Sequence, residues 1–328
     1  MTQDATGDRV LVAGAGAIGS IIGCLLRRAG CDVTLLGRPW HLDAVAASGL
    51  RIDGIWGEYY ADGFEIATTP AQLKGPYDLI LVCVKSFDTE KIGGDVAASL
   101  DPGGLVISIQ NGLGNVEKLA GSVGAERVFG ARVLMGAVVP EPGRVTITVH
   151  AAPVAFGPIG GGGDQAALSA GRHWAERLSA AGMAAELLDD VLPQIWAKVF
   201  YNCALNTLGA LLGVHYGALG EDDDLRSIMN SVIDEAFAVA IARGAKLPWE
   251  SADAYRELFY GQLLPATYVH RNSMLQDLEH GHRVEIDAIN GQVWAYGAEL
   301  GISTPFNELL TRLVHWRERQ SMAAVAAQ

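Results

Sequence analysis

A chain of 328 residues, half of them hydrophobic, can bury more than one core, because single cores stop growing at about 250–300 residues. Its formal charge of −13, from 24 Lys and Arg against 37 Asp and Glu, argues against a nucleic-acid partner, which needs clustered cations. Met1 opens on polar residues, no apolar run reaches membrane-spanning length and the four cysteines form no C-x-x-C pair, so the expectation is a two-domain cytoplasmic protein with reduced core thiols and no membrane contact.

The predicted elements begin with Arg9–Gly14, a short apolar strand closed by glycine. A helix over Ala17–Ala29, stopped by Gly30, and a strand over Asp32–Leu36 complete a βαβ unit. His41–Ser48 predicts another helix. Tyr77–Val84 and Leu105–Ile109 are continuous apolar runs, as in parallel strands buried on both faces. This alternation predicts an α/β fold with an N-terminal Rossmann-type dinucleotide-binding domain.

Past Arg127 the runs shorten. Val133–Val138, Val145–Val149 and Val154–Phe156, with turns at Pro140–Gly143 and Gly160–Gly163, are expected to be antiparallel strands finishing that domain. Asp164–Ala181 predicts a helix and Ala184–Leu188 a last strand. From Leu192 strand signals vanish. Helical periodicity covers Pro193–Leu212, Leu225–Arg243, Ser251–Leu258, Pro265–His280, Ile289–Leu300 and Asn307–Gln320. The expected organisation is a dinucleotide domain over 1–189, an all-helical C-terminal domain over 190–320, and an alanine-rich, frayed tail over 321–328.

Gly14-Ala15-Gly16-Ala17-Ile18-Gly19 is a G-x-G-x-x-G placed between a strand and a helix. Its glycines suit a tight turn, close approach to a pyrophosphate and helix–strand packing, with the phosphates at the helix N-terminus. A carboxylate for a ribose 2′-hydroxyl is expected about twenty residues on. Thr34-Leu35-Leu36-Gly37-Arg38 has none, and the fork of Arg38 suits a 2′-phosphate, which favours NADP over NAD. Lys85 and Gln110-Asn111-Gly112 follow two predicted strands at their carboxyl ends, where open sheets bind ligands.

Lys198, Asn202 and Asn206 recur every fourth residue in the apolar segment Gln194–Asn206 and form one polar stripe on a helix. A buried ammonium is costly without a partner or ligand. The asparagines either pair with neighbouring helices or bind a polar substrate beside Lys198. An ammonium can polarise a carbonyl and protonate the nascent alkoxide, and burial would lower its pKa from about 10.4. Ser273 could donate to a substrate carboxylate. Glu285 could accept from a substrate hydroxyl or pair with Lys198. By residue type alone both are ordinary helix-surface residues.

With Trp196-Ala197-Lys198, Ser273-Met274-Leu275-Gln276-Asp277 and Glu285-Ile286-Asp287-Ala288-Ile289-Asn290-Gly291, these motifs resemble the ketopantoate reductase (2-dehydropantoate 2-reductase) family from about residue 9 to 320. The resemblance implies NADPH-dependent reduction of a 2-oxo acid to a 2-hydroxy acid, ketopantoate to pantoate, in pantothenate biosynthesis. It implies Lys198 as general acid, Asn202 and Asn206 on the substrate hydroxyl, Ser273 on the carboxylate, and Glu285 closing over the substrate. It places Gly14, Gly16, Ala17, Ile18, Gly19, Arg38 and Lys85 on the cofactor, with Asn111 between cofactor and substrate. Glu235 falls near an acidic position of the family. His215-Tyr216-Gly217 stands where the family offers an asparagine, and Glu221–Asp224 is unusually acidic, so the far end of the substrate is where this chain departs.

Three other readings compete: a paralogue acting on another 2-oxo acid, a non-catalytic NADP-binding protein, and a metal-dependent dehydrogenase. The last is disfavoured because His280-Gly281-His282, the one close histidine pair, lacks i, i+4 ligand spacing. No metal is expected, and a homodimer through the helical domain is.

Overall fold

The first half of the chain alternates strands with helices around one parallel sheet. The computed structural model describes residues 7–326. In order, the elements are β1 (Arg9–Ala13), α1 (Ala17–Arg28), β2 (Asp32–Leu36), α2 (Pro39–Ser48), β3 (Leu50–Gly54), β4 (Tyr59–Ala61), β5 (Glu65–Ala67), β6 (Tyr77–Val82), α3 (Thr89–Val96), β7 (Leu100–Ser108) and α4 (Asn115–Val123). There follow β8 (Val128–Arg132), β9 (Met135–Glu141), β10 (Arg144–His150), β11 (Val154–Gly157), α5 (Gln165–Ala180) and β12 (Ala185–Leu187).

The main sheet has the order β12-β11-β8-β7-β6-β1-β2-β5. From β8 to β5 all neighbours are parallel, β11 joins antiparallel to β8, and β12 runs parallel to β11. Side chains alternate across β1. Val10 and Val12 enter one apolar cluster, Leu11 and Ala13 the other, and all four are fully buried. That is the period-two pattern of a strand covered on both faces.

Residues 133–149 hold the expected antiparallel strands, but not in the main sheet. Val133 and Leu134 lie between strands, and β9 and β10 leave the main sheet to build a second one, β4-β3-β10-β9. β10 pairs antiparallel with β9 but parallel with β3. β-branched runs mark strands without naming their partners, and β3 and β4 are too short and half exposed to read. His41 ties the small sheet to α1. Its Nδ1 accepts from Gly143 N at 3.2 Å, so Nε2 carries the proton and donates to Ser20 Oγ at 3.1 Å. Burial holds this imidazole below its usual pKa of 6.5, in the neutral form that the two bonds need.

The second half is helical: α6 (Leu192–Leu212), α7 (Tyr216–Glu221), α8 (Asp223–Ala242), α9 (Ala252–Leu258), a π turn over Phe259–Leu263, α10 (Leu264–Ala266), α11 (Ser273–Glu279), α12 (Asn290–Leu300) and α13 (Pro305–Ala326). α6 buries residues on every face, from Ile195 to Ala210, and is the central helix. A buried amide network locks its neighbours. Asn290 accepts from Thr207 Oγ1 at 2.6 Å and donates to Cys203 O at 3.2 Å and Asn307 Oδ1 at 3.0 Å.

Two expectations change here. Pro265–His280 is not one helix: the chain breaks after Ala266, and Asn272 caps α11 by accepting from Leu275 N at 2.8 Å. Asparagine favours such caps over helix interiors. The segment read as a frayed tail continues α13 as far as Ala326, and residues 327–328 lie outside the described residues.

The chain divides into two compact units. One holds the chain up to Gln110 together with Asn115–Val191, and the other holds Asn111–Gly114 together with the chain from Leu192 onward. Among the described residues no helix is long and apolar enough to cross a membrane, and no three His, Cys, Asp or Glu side chains cluster to hold a metal ion.

Candidate active site

In the first unit the glycine loop is built by contacts that exclude side chains. Gly14 sits at φ 111°, and a Cβ there would lie 2.6 Å from Val84 N. A Cβ on Gly19 would lie 2.3 Å from Gly14 O. Around Gly16 there is nothing within 4 Å, so its side of the loop is open to an incoming group. The N–H groups of Gly14 and Ala15 both donate to Leu36 O at 2.9 Å, which staples the loop to the end of β2. α1 starts at Ala17 without a side-chain cap and without an acid in its first turn, so the N–H end of its dipole is left for an anion.

Arg38 follows directly. It is exposed, caps α2, and lies one residue past Gly37, whose Cβ position is 3.2 Å from Ala15 Cβ. The loop geometry therefore fits a dinucleotide's phosphates, with a guanidinium at the adjoining strand end. Lys85 is half-buried just past β6 and precedes a short 3-10 turn over Ser86–Asp88. Gln110 is committed elsewhere: its Nε2 donates to Val84 O at 2.9 Å and Thr89 Oγ1 at 2.7 Å, which ties two strand ends together.

In the second unit α6 presents the polar stripe. Lys198 is half-buried rather than enclosed, and its Nζ donates to Asn111 Oδ1 at 2.6 Å. Asn202 and Asn206 are 6% and 8% exposed on the next two turns. They differ in their partners. Asn206 Oδ1 accepts from the Tyr216 hydroxyl, and among the described residues Asn202 and the Asn206 Nδ2 have no hydrogen-bond partner. Buried amides are ordinarily satisfied, so Asn202 and the NH2 group of Asn206 are able to take a polar ligand.

Asn111 is set by its loop. Leu113 N donates to Ala288 O at 2.8 Å, and Gly112, at φ 87°, runs so close that a Cβ would lie 2.2 Å from that oxygen. Ala288 ends the turn Ile286–Ala288, which Glu285 precedes. One backbone contact thus fixes both Asn111 and the turn that carries the half-buried Glu285. Ser273 is exposed at the first residue of α11.

Two acidic features have structural work. Glu235 accepts from Phe306 N and Asn307 N, both at 2.9 Å, and from Asn307 Nδ2 at 2.8 Å, capping α13. Asp222 caps α8 through Leu225 N, and Glu221 accepts from the Tyr268 hydroxyl. The acidic run is the start of a helix, where negative charge is favoured. The sequence reading missed the bond from Tyr216 to Asn206; its one signal was an aromatic residue standing where the family offers an amide.

Comparison with known proteins gives matches over nearly the whole chain. Residues 10–161 match the family model described as ketopantoate reductase PanE/ApbA, and residues 190–318 match its C-terminal counterpart. The 2-dehydropantoate 2-reductase of Aquifex aeolicus is 36% identical over 94% of this chain and 97% of its own length. That of Pyrococcus horikoshii is 34% identical over 94% and 97%. Among solved structures, a PanE/ApbA family ketopantoate reductase from Ralstonia eutropha superposes with a TM-score of 0.82 at 33% identity, covering 95% of this chain and 99% of that one. A D-mandelate dehydrogenase with NADH and anilino(oxo)acetate superposes with a TM-score of 0.85 at 26% identity, over 95% and 99%.

Proposed function

Because this chain belongs to the ketopantoate reductase family, we propose that it reduces ketopantoate (2-dehydropantoate) to pantoate with NADPH, Lys198 supplying the proton. The observation that carries this reading is the face of α6, where an ammonium held by Asn111 lies in line with the Asn202 amide and the NH2 group of Asn206. When bound, NADPH supplies the hydride. Lys198 polarises the oxo group and passes one proton to its oxygen as the carbon–oxygen double bond becomes a hydroxyl. Asn111 holds the ammonium in place. Asn202 and Asn206 donate to substrate oxygen, Ser273 to the carboxylate, and Glu285 accepts from the hydroxyl. Gly14, Gly16, Ala17, Ile18 and Gly19 present backbone to the dinucleotide phosphates. Arg38 meets the 2′-phosphate, and Lys85 meets the cofactor.

A second reading, another 2-oxo acid as substrate, is supported by the likeness to D-mandelate dehydrogenase and by Tyr216, an aromatic wall beside Asn206. A screen of 2-oxo acids, following NADPH and NADH oxidation separately, decides. The expected result is strong turnover of ketopantoate with NADPH, and a far higher KM for NADH. Strong turnover of an aryl 2-oxo acid without ketopantoate activity selects the second reading. No turnover of any 2-oxo acid refutes both.

A further inference from the structure

Tyr216 opens α7 and reaches back to α6, where its hydroxyl donates to Asn206 Oδ1. Its surroundings leave the ring little freedom. Tyr216 N donates to His270 O at 3.2 Å, and Gly217 N to Tyr268 O at 2.8 Å. The rings of Tyr201 and His270 pack on it at centroid distances of 5.6 and 5.1 Å. Tyr201 is anchored in turn by its hydroxyl, which donates to Thr267 Oγ1 at 2.7 Å. Tyr216 is 2% exposed. Burial, and then Tyr201, hold its phenol well above the usual range, so it remains a donor at any working pH.

The consequence falls on Asn206. A carboxamide offers an acceptor oxygen on one side and an NH2 donor on the other, and without a fixed partner it can present either. Here the oxygen is engaged by Tyr216, so the NH2 group is the end turned to the rest of the site. A carboxylate, oxo or alkoxide oxygen can accept from it; a donor cannot use it.

We propose that Tyr216 is a positioning residue: its hydroxyl orients the Asn206 carboxamide so that the NH2 group meets an oxygen of the 2-oxo acid. This rests on the reductase reading above. Tyr216 acts through Asn206 and need not touch the substrate. It is a specificity device of this chain, since an aromatic hydroxyl does here what no residue of the α6 stripe can do for itself.

Tyr216→Phe removes the hydroxyl and keeps the ring. It should raise KM for the 2-oxo acid about tenfold, the effect of losing one buried hydrogen bond, with a smaller change in kcat and none in KM for NADPH. The decisive measurement is a cycle with Asn206→Ala. If Tyr216 works through Asn206, adding Tyr216→Phe to Asn206→Ala costs nothing further, because the group being oriented is already gone. Asn206→Ser replaces the alanine variant if that one does not fold, with the same expected coupling. Losses that multiply, or a Tyr216→Phe enzyme indistinguishable from wild type, overturn the proposal while leaving the reductase reading intact. A wild-type enzyme inactive on every 2-oxo acid removes both.

Discussion

Lys198 stands at one end of a polar face whose other members are amides, and its ammonium is half-buried and bonded to Asn111. The bond to the Asn111 carboxamide fixes the position of the ammonium on this face. Lys198→Ala is expected to lower kcat by about 10²–10⁴-fold, the usual contribution of a general acid. NADPH affinity, read by fluorescence titration, should stay the same, because the glycine loop and Arg38 belong to other elements. A variant that keeps kcat within a few-fold of wild type excludes lysine as the proton donor. The stripe itself was legible from spacing. The bond to Asn111 was not, since 87 residues of chain separate the two partners.

The elements that could be read were those whose composition matches one environment. β1, β2 and β6 are mostly apolar and, past their first one or two residues, buried on both faces, and α5 announces itself with Asp164, which accepts from Ala166 N and Ala167 N. β3, β4 and β5 carry polar residues on half-exposed positions and gave no signal. The helical unit shows the same divide. Its helices follow the apolar period, whereas the joints between them rest on single polar groups such as Asn290 and Glu235, whose partners lie 17 and 72 residues along the chain. Glu235 is the clearest case. Resemblance set it near an acidic position of the family, and its carboxylate joins α8 to the start of α13 through three hydrogen bonds. Glu235→Ala removes both acceptor oxygens, and with them all three bonds, and should destabilise the helical unit by about 1–3 kcal/mol. The urea midpoint should fall while KM for NADPH is unchanged. An unaltered midpoint with lost turnover would return Glu235 to the site.

At the scale of the whole chain, the helical unit is not a continuous stretch of sequence. Asn111–Gly114 lies between β7 and α4 yet belongs with the helices. The main crossing between the units falls after Val191, and Asn111–Gly114 is a separate excursion. Four residues without periodicity carry no domain signal; what places them is a glycine at positive φ pressed on Ala288 O, and Leu113, 5% exposed, whose N–H that oxygen accepts. The loop therefore does two jobs, setting Asn111 against Lys198 and covering the turn after Glu285. A fragment beginning at Leu192 lacks both. Hydrogen exchange on that fragment should be faster than in the full chain, most of all for peptides spanning Ile286–Gln292 and the N-terminal half of α6. The lost backbone bond and the uncovered apolar contact of Leu113 together weaken the unit by about 1–3 kcal/mol, or roughly ten- to a hundredfold in protection. Identical protection in fragment and full chain would mean that the helices hold the site's shape without this loop, and that Asn111 is a passenger on it.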